Sequence, residues 1–146
     1  MTPAGLLHRL FRAFSGRGPR PGGNRGSGDD WERVAEKALV AEGYRILARN
    51  FRTRSGELDF VAEERGVLCF IEVKGRSGTG FGTPSDAVTR EKQRRIHRAA
   101  EAYLTRRPRR RACRFDVVTI LESDGQRRVE ILRNAFEGPP RRRRRR

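Results

Sequence analysis

The sequence predicts an α/β fold: a mixed central sheet with flanking helices. Two stretches, 29–42 and 84–105, carry apolar residues at helical spacing, and five short runs carry the β-branched and aromatic residues of strands. Their order is α-β-β-β-α-β-β. Three strands in close succession form a meander, and the helix before the fourth supplies a crossover, so the sheet is expected to be mixed.

Each element has its own signal. Residues 1–14 place Leu6, Leu7, Leu10, Phe11 and Phe14 among His8, Arg9 and Arg12, which reads as a short amphipathic helix or a frayed extension. Residues 15–28 are rich in Gly, Pro, Ser and Arg and read as a linker, so 1–28 is expected to be a disordered basic N-terminal extension. The folded domain is expected over 29–136. It opens on Asp29-Asp30-Trp31-Glu32, which has the spacing of an N-terminal capping box. Val34, Ala35, Ala38 and Leu39 continue as an apolar stripe, and Gly43 is a natural stop.

The strands are read over 44–51, 57–63, 67–74, 112–121 and 128–132. Arg65-Gly66 and Asp124-Gly125 supply turns. Residues 75–83 hold four glycines and read as a flexible rim, because the spacing fits no phosphate-binding loop. The second helix carries Arg90, Lys92, Arg94, Arg95 and Arg98 on its exposed side, followed by a basic run at 106–111. Residues 137–146 read as a disordered arginine-rich tail.

With 146 residues the chain holds one domain with a real core. It has no apolar stretch long enough for a transmembrane segment and no secretory signal. Cys69 and Cys113 fall in strand-like runs and read as buried, reduced cysteines, so a cytoplasmic location is expected. The net charge is +16, of which +3 lies in residues 1–30, +5 in 137–146 and +8 between them. The domain itself is therefore basic, and its favoured partners are polyanions such as DNA or another nucleic acid. The other reading of the same charge is a soluble basic protein associated with ribosomes.

The chemistry centres on one hairpin. If Arg65-Gly66 is a two-residue turn, facing residues sum to 131, so Phe60 faces Ile71, Ala62 faces Cys69 and Leu58 faces Val73. That face is apolar and is expected to pack on the core. On the other face Asp59 lies opposite Glu72, and Glu57 opposite Lys74. Like charges directly opposite each other destabilise a sheet, and a cation between Asp59 and Glu72 would relieve this. A divalent metal such as Mg²⁺ or Mn²⁺ takes oxygen ligands. Asp59, Glu72, the Val73 carbonyl and Glu32 from the first helix are the candidates to supply them. Lys74 would position a water or offset transition-state charge. With only three lysines, at 37, 74 and 92, against 31 arginines, a lysine at this position is informative.

Plainer readings exist for each residue. A Glu-x-Lys on a strand is usually a cross-strand ion pair, and Glu57 is an equally good partner for Lys74. Glu32 is also well placed to favour a helix N-terminus. Asp116 reads as structural. His8 and His97 are isolated on basic surfaces, so no zinc site or Ser-His-Asp triad is supported.

Residues 44–52 (Tyr-Arg-Ile-Leu-Ala-Arg-Asn-Phe-Arg), Gly56-Glu-Leu-Asp-Phe-Val61, Phe70-Ile-Glu-Val-Lys74, Phe81-Gly82 and Phe115-Asp-Val-Val118 together resemble the bacterial YraN-like endonuclease family. The resemblance spans about residues 28–134. It implies a restriction-endonuclease-like fold of the PD-(D/E)xK superfamily, close to Holliday-junction resolvases. By position, it implies that Asp59 and Glu72 are metal-binding acids, Lys74 the active-site lysine and Glu32 the helix-borne acid. The expected function is metal-dependent hydrolysis of phosphodiester bonds in DNA, with branched or recombination intermediates as substrates and a homodimer as the working form. Arg76, Arg90, Lys92, Arg94, Arg95 and Arg98 would contact nucleic acid. The alternative is a non-catalytic nucleic-acid-binding protein that keeps the fold. Two residues depart from the family's pattern. Trp31 stands where Gly is usual before the helix Glu, and Gly75 where Thr is usual before Arg76.

Overall fold

The computed structural model describes residues 9–14, 26–77, 88–107 and 112–138. Its elements are β1 (Arg9–Phe14), α1 (Gly26–Ala41), β2 (Arg45–Arg52), β3 (Glu57–Glu64), β4 (Val67–Ser77), α2 (Arg90–Thr105), β5 (Cys113–Ser123) and β6 (Gln126–Phe136). From α1 onward the order is the α-β-β-β-α-β-β expected. The strands form one six-stranded sheet in the order β1-β6-β5-β4-β3-β2. β4 and β5 pair in parallel and the other neighbours are antiparallel, so the sheet is mixed and α2 is its crossover.

The two hairpin turns have the geometry their sequences ask for. Arg65 and Gly66 have φ of 49° and 78°, and Asp124 and Gly125 of 52° and 73°. Positive φ at both central residues matches the right-handed twist of the flanking strands. The register follows, with Phe60 opposite Ile71 and Ala62 opposite Cys69.

The ends of the chain's elements differ from expectation in three places. Arg9–Phe14 lies in the stretch expected to lack structure, yet it pairs antiparallel with β6 as an edge strand. α1 begins at Gly26, so Asp29 sits inside the first turn rather than at the cap. α2 begins at Arg90, capped by Thr89, whose side chain accepts a hydrogen bond from the Lys92 amide. The expected glycine-rich rim beyond Ser77, the start of the second helix at 84–87, the basic run at 108–111 and the tail from 139 lie outside the described residues.

The sheet is covered on both faces. On one side Ala35, Ala38 and Leu39 of α1 pack with Phe60, Ala62, Cys69 and Ile71. On the other, Ile96, Ala99, Ala100 and Tyr103 of α2 pack with Val61, Leu68, Phe70 and Val117. The face expected to carry Asp59, Glu72, Glu57 and Lys74 is also apolar at Val61 and Phe70. A strand in the middle of such a sheet loses simple alternation because both its sides are core. Leu58 belongs to the α2 side although Phe60 belongs to the α1 side, so alternation slips at Asp59 and the single apolar face of Leu58, Phe60 and Ala62 does not hold.

Cys69 is fully buried, and burial raises its thiol to about 12, leaving it an inert core residue. Cys113, expected to be buried, is exposed, and neither cysteine is in a disulfide. His97, expected on a basic surface, is half-buried with its ring 4.8 Å from Phe115 and 5.6 Å from Phe136. Among the described residues no helix is long and apolar enough to cross a membrane.

Candidate active site

The site lies where β3 and β4 stop pairing. The ladder runs from Glu64–Val67 to Phe60–Ile71. At the next step the Asp59 carboxylate replaces the strand partner, and its Oδ2 accepts a 2.7 Å hydrogen bond from the Val73 amide. On the other side of Asp59 the β2–β3 register places Asn50 opposite it. Asn50 has φ of 49°, a conformation in which Asn is one of the few non-glycine residues at home. Asn50 and Asp59 drop out of the pairing between Arg49–Phe60 and Phe51–Leu58, and the Asp59 carboxylate lies against Glu72 instead.

Glu72 is 7% exposed, on the α2 side of β4. Burial first, and then the Asp59 carboxylate, push its carboxyl up to about 8. Asp59 is also raised, by burial, against the lowering effect of the Val73 amide. The two acids are close enough to share a proton, so they titrate as a pair. Glu72 Oε2 is buried and has no hydrogen-bond partner among the described residues. An orphaned carboxylate oxygen is expensive in a protein interior.

A third acid stands nearby. Glu32 on α1 is half-buried, and its carboxyl is raised by burial and by Asp59, while Asn50 donates a hydrogen bond to it. The first turns of α1 are held over the sheet by Arg127, which pairs with Asp30 and with Glu122 (2.8 Å) and lies 5.2 Å from the Trp31 ring centre.

The cation against this pair is Lys92, which was expected on the outer face of α2 with the arginines. Its Nζ lies 3.4 Å from Glu72 Oε1 and 3.6 Å from Glu57 Oε1. Glu57 is also 3.8 Å from Arg52. Lys74, two residues beyond Glu72 on the same strand, is exposed, and Glu57 turns to Lys92 rather than to it. Arg76 is half-buried at the end of β4, and Arg90, Arg94, Arg95 and Arg98 are exposed on α2.

The donor set fits a magnesium-like ion. Two adjacent carboxylates, one with an unpartnered oxygen, supply hard oxygen ligands and carry the excess negative charge that such an ion neutralises. Among the described residues no three acidic, His or Cys side chains converge as a closed metal cage.

The profile of the "Uncharacterised protein family UPF0102" matches residues 31–120. A UPF0102 protein of Symbiobacterium thermophilum is 49% identical over 115 residues, covering 77% of this chain and 98% of the relative. One from Lachnoclostridium phytofermentans is 45% identical over 108 residues, covering 73% and 88%.

The chain belongs to the UPF0102 family.

This bears out the family resemblance, and the two departures from the family's pattern explain each other. A Cβ at Gly75 would stand 2.5 Å from the Trp31 ring. The indole fills the space that a larger residue at 75 would occupy, so Trp31 and Gly75 are a matched pair. Neither displaces Glu32, Asp59 or Glu72.

Sequence reasoning missed Asn50, Lys92 and the packing of Gly56 in this UPF0102 site. Asn in mid-strand is depleted, and that was a usable signal for a break in the strand's regular backbone. Lys92 stands in a lysine-poor chain, but its approach to Glu72 depends on how α2 crosses the sheet. Gly56 allows that crossing to be close: a Cβ there would stand 1.9 Å from the Arg95 carbonyl oxygen.

Proposed function

We propose that this UPF0102 protein is a Mg²⁺- or Mn²⁺-dependent nuclease that hydrolyses phosphodiester bonds in DNA. The observation that carries the reading is the Asp59–Glu72 pair, with Glu72 Oε2 buried and unpartnered beside a second carboxylate. A structural acid at such a depth would be expected to have its hydrogen bonds satisfied.

Asp59 and Glu72 would hold the metal, with the Val73 carbonyl as a further oxygen and Glu32 reached directly or through water. Bound there, the metal supplies Lewis-acid polarisation of a phosphate and a more acidic water. The chain's own residues do the rest. The Val73 amide fixes Asp59 at one oxygen and leaves the other for the ion. The Asn50 amide orients Glu32 toward the same place. Lys92 holds Glu72 from the helix side, and Lys74 extends from the open end of β4, where it can meet a phosphate or its attacking water. The basic face of α2 would steer a polyanion to this edge. Branched or recombination intermediates, cut by a homodimer, are the proposed substrates by family analogy.

The second reading, a nucleic-acid-binding protein without catalysis, draws support from the absence of a three-ligand cluster among the described residues. One assay separates the two. Labelled duplex, single-stranded, flap and four-way-junction DNA are incubated with Mg²⁺ or Mn²⁺ and the wild type, Glu72→Ala or Lys74→Ala. Metal-dependent cutting lost in both variants supports the nuclease. Equal binding by all three proteins, with no cutting, supports the binding protein.

A further inference from the structure

Where the β2–β3 turn meets α2, the helix that carries Lys92, is a depression of about 440 Å³, lined by Arg54, Ser55, Glu91, Arg94, Arg95 and Arg98. Two elements build it. Residues 91, 94, 95 and 98 fall at helical spacing on one face of α2. Arg54 and Ser55 come from the β2–β3 turn, whose shape is fixed by Thr53: its amide donates to the Gly56 carbonyl at 2.8 Å, and its hydroxyl accepts from the Gly56 amide at 3.1 Å. The turn meets the helix at Gly56, against the Arg95 carbonyl. The depression is therefore set by backbone packing.

Its chemistry is one-sided. Four guanidinium groups face one carboxylate, and among the described residues none of the four arginines is in an ion pair. This contrasts with Arg114, Arg127 and Arg133, each of which is paired with acids. Four unpaired arginines around one concavity repel each other unless an anion joins them, and the guanidinium fork matches phosphate oxygens.

We propose that this depression is a phosphate subsite, which takes an internal phosphodiester of the strand whose neighbouring phosphate is presented to Asp59 and Glu72. The placement on that strand rests on the nuclease reading; the pocket's affinity for a nucleic-acid phosphate does not. The spacing agrees. Arg94 to Arg98 lie two to six residues beyond Lys92, about 3–9 Å along a helix rising 1.5 Å per residue. A duplex strand rises about 3.4 Å along its axis per nucleotide, so with α2 laid along that axis the subsite reaches a phosphate about one to three nucleotides away. Arg54 and Ser55 thereby gain a role in binding that the sequence alone did not assign them.

The test is fluorescence anisotropy with the full chain, a labelled DNA duplex and EDTA, so that neither metal nor cleavage enters. Arg94→Ala/Arg98→Ala should weaken binding about tenfold and lower the slope of log K against log salt by about one. Arg33→Ala/Lys37→Ala, which removes the same charge from exposed positions on α1, should change it less than threefold. Arg54→Ala and Arg98→Ala, made singly and together, should be non-additive if both grip one phosphate. Thermal melts check that each variant is folded. Equal losses for the α2 and α1 pairs, or strict additivity of Arg54 and Arg98, would overturn the subsite in favour of diffuse attraction. A loss confined to duplexes carrying a 5′-phosphate would overturn the internal phosphodiester in favour of a strand end. If the subsite passes and no metal-dependent cutting is found, the nuclease reading fails alone.

Discussion

Two buried carboxylate clusters in this fold use the same backbone device and finish it in opposite ways. Asp59 and Asp116 each leave a strand ladder at an irregularity, each near an Asn with positive φ, Asn50 and Asn134. Each accepts a backbone amide, Asp59 from Val73 at 2.7 Å and Asp116 from Asn134 at 2.9 Å. Around Asp116 every need is met. Tyr44 donates to it at 2.9 Å, Arg114 Nε lies 3.0 Å from both of its oxygens, and Arg133 joins Arg114 on Glu64. Around Asp59 the neighbour is another acid, and one oxygen of that acid has no partner among the described residues. One cluster is complete within the chain. In the other, one buried carboxylate oxygen is left without a hydrogen bond from any described residue.

The largest test breaks the complete cluster. Asp116→Ala takes one of the two acids from half-buried Arg114, leaves the Tyr44 hydroxyl and the Asn134 amide without their acceptor, and should cost about 3–5 kcal/mol by urea denaturation. Glu72→Gln removes a repelling charge and should leave stability equal or higher at pH 8. A loss from Glu72→Gln as large as that from Asp116→Ala would erase the distinction between the clusters.

The matched pair beside Glu32 comes next. Gly75→Ala should cost about 1–3 kcal/mol through overpacking against the indole. In a Trp31→Gly background most of that cost should vanish, and a double-mutant cycle reads the coupling directly. Additive costs would show that Trp31 and Gly75 do not share that space.

Lys92 gives a smaller effect on the unfinished cluster. It is the chain's own cation on Glu72, so it competes with an added one. Lys92→Gln should tighten Mn²⁺ binding about tenfold, equivalent to about 1.4 kcal/mol. Electron paramagnetic resonance of free Mn²⁺ measures this without any activity. Asp59→Asn should weaken it.

The finest contrast is in pH. Glu64 is held at about 2: burial would raise it, but hydrogen bonds from Arg133 and Arg114 outweigh burial. A carboxylate lowered in the fold contributes stability that is present above its ordinary value of 4.5 and lost as pH falls toward 2. Glu72 is shifted the other way. Its contribution is present below 4.5 and is lost as pH rises through about 8. Without divalent cation, melting temperature should fall at both ends. Glu64→Gln should flatten the acid limb and Glu72→Gln the alkaline limb. Mn²⁺ affinity should rise with pH over the same alkaline window, because ligands must lose their protons.

The hairpin that carries both acids was legible in the sequence, since Arg65-Gly66 fixes a register that puts Asp59 beside Glu72. The side assigned to Leu58 was not, because alternation slips at Asp59, where Asn50 has positive φ and drops out of the pairing, and no local pattern encodes where a ladder breaks. Lys92 and the arginine depression depend on how closely α2 approaches a turn 40 residues away in sequence. That distance is set by the missing Cβ of Gly56, a tertiary fact. β1 was hidden for another reason: its six residues repeat basic-apolar-apolar without strand alternation, and as an edge strand it pairs with β6 alone.

The parallel pairing of β4 with β5 has a consequence for how the protein is made. Leu68 meets Cys113 across a closed loop of 45 residues, whereas β3–β4 and β5–β6 each close across a two-residue turn. Chain-closure entropy favours the two local hairpins as early units, with their parallel docking as the slow step. Asp59 and Glu72 therefore come together while the hairpin is still wet, where two like charges repel each other only weakly. The repulsion is felt in full when α2 arrives and seals one side, and α2 brings Lys92 with it. The helix that covers the two acids thus carries their counter-charge with it.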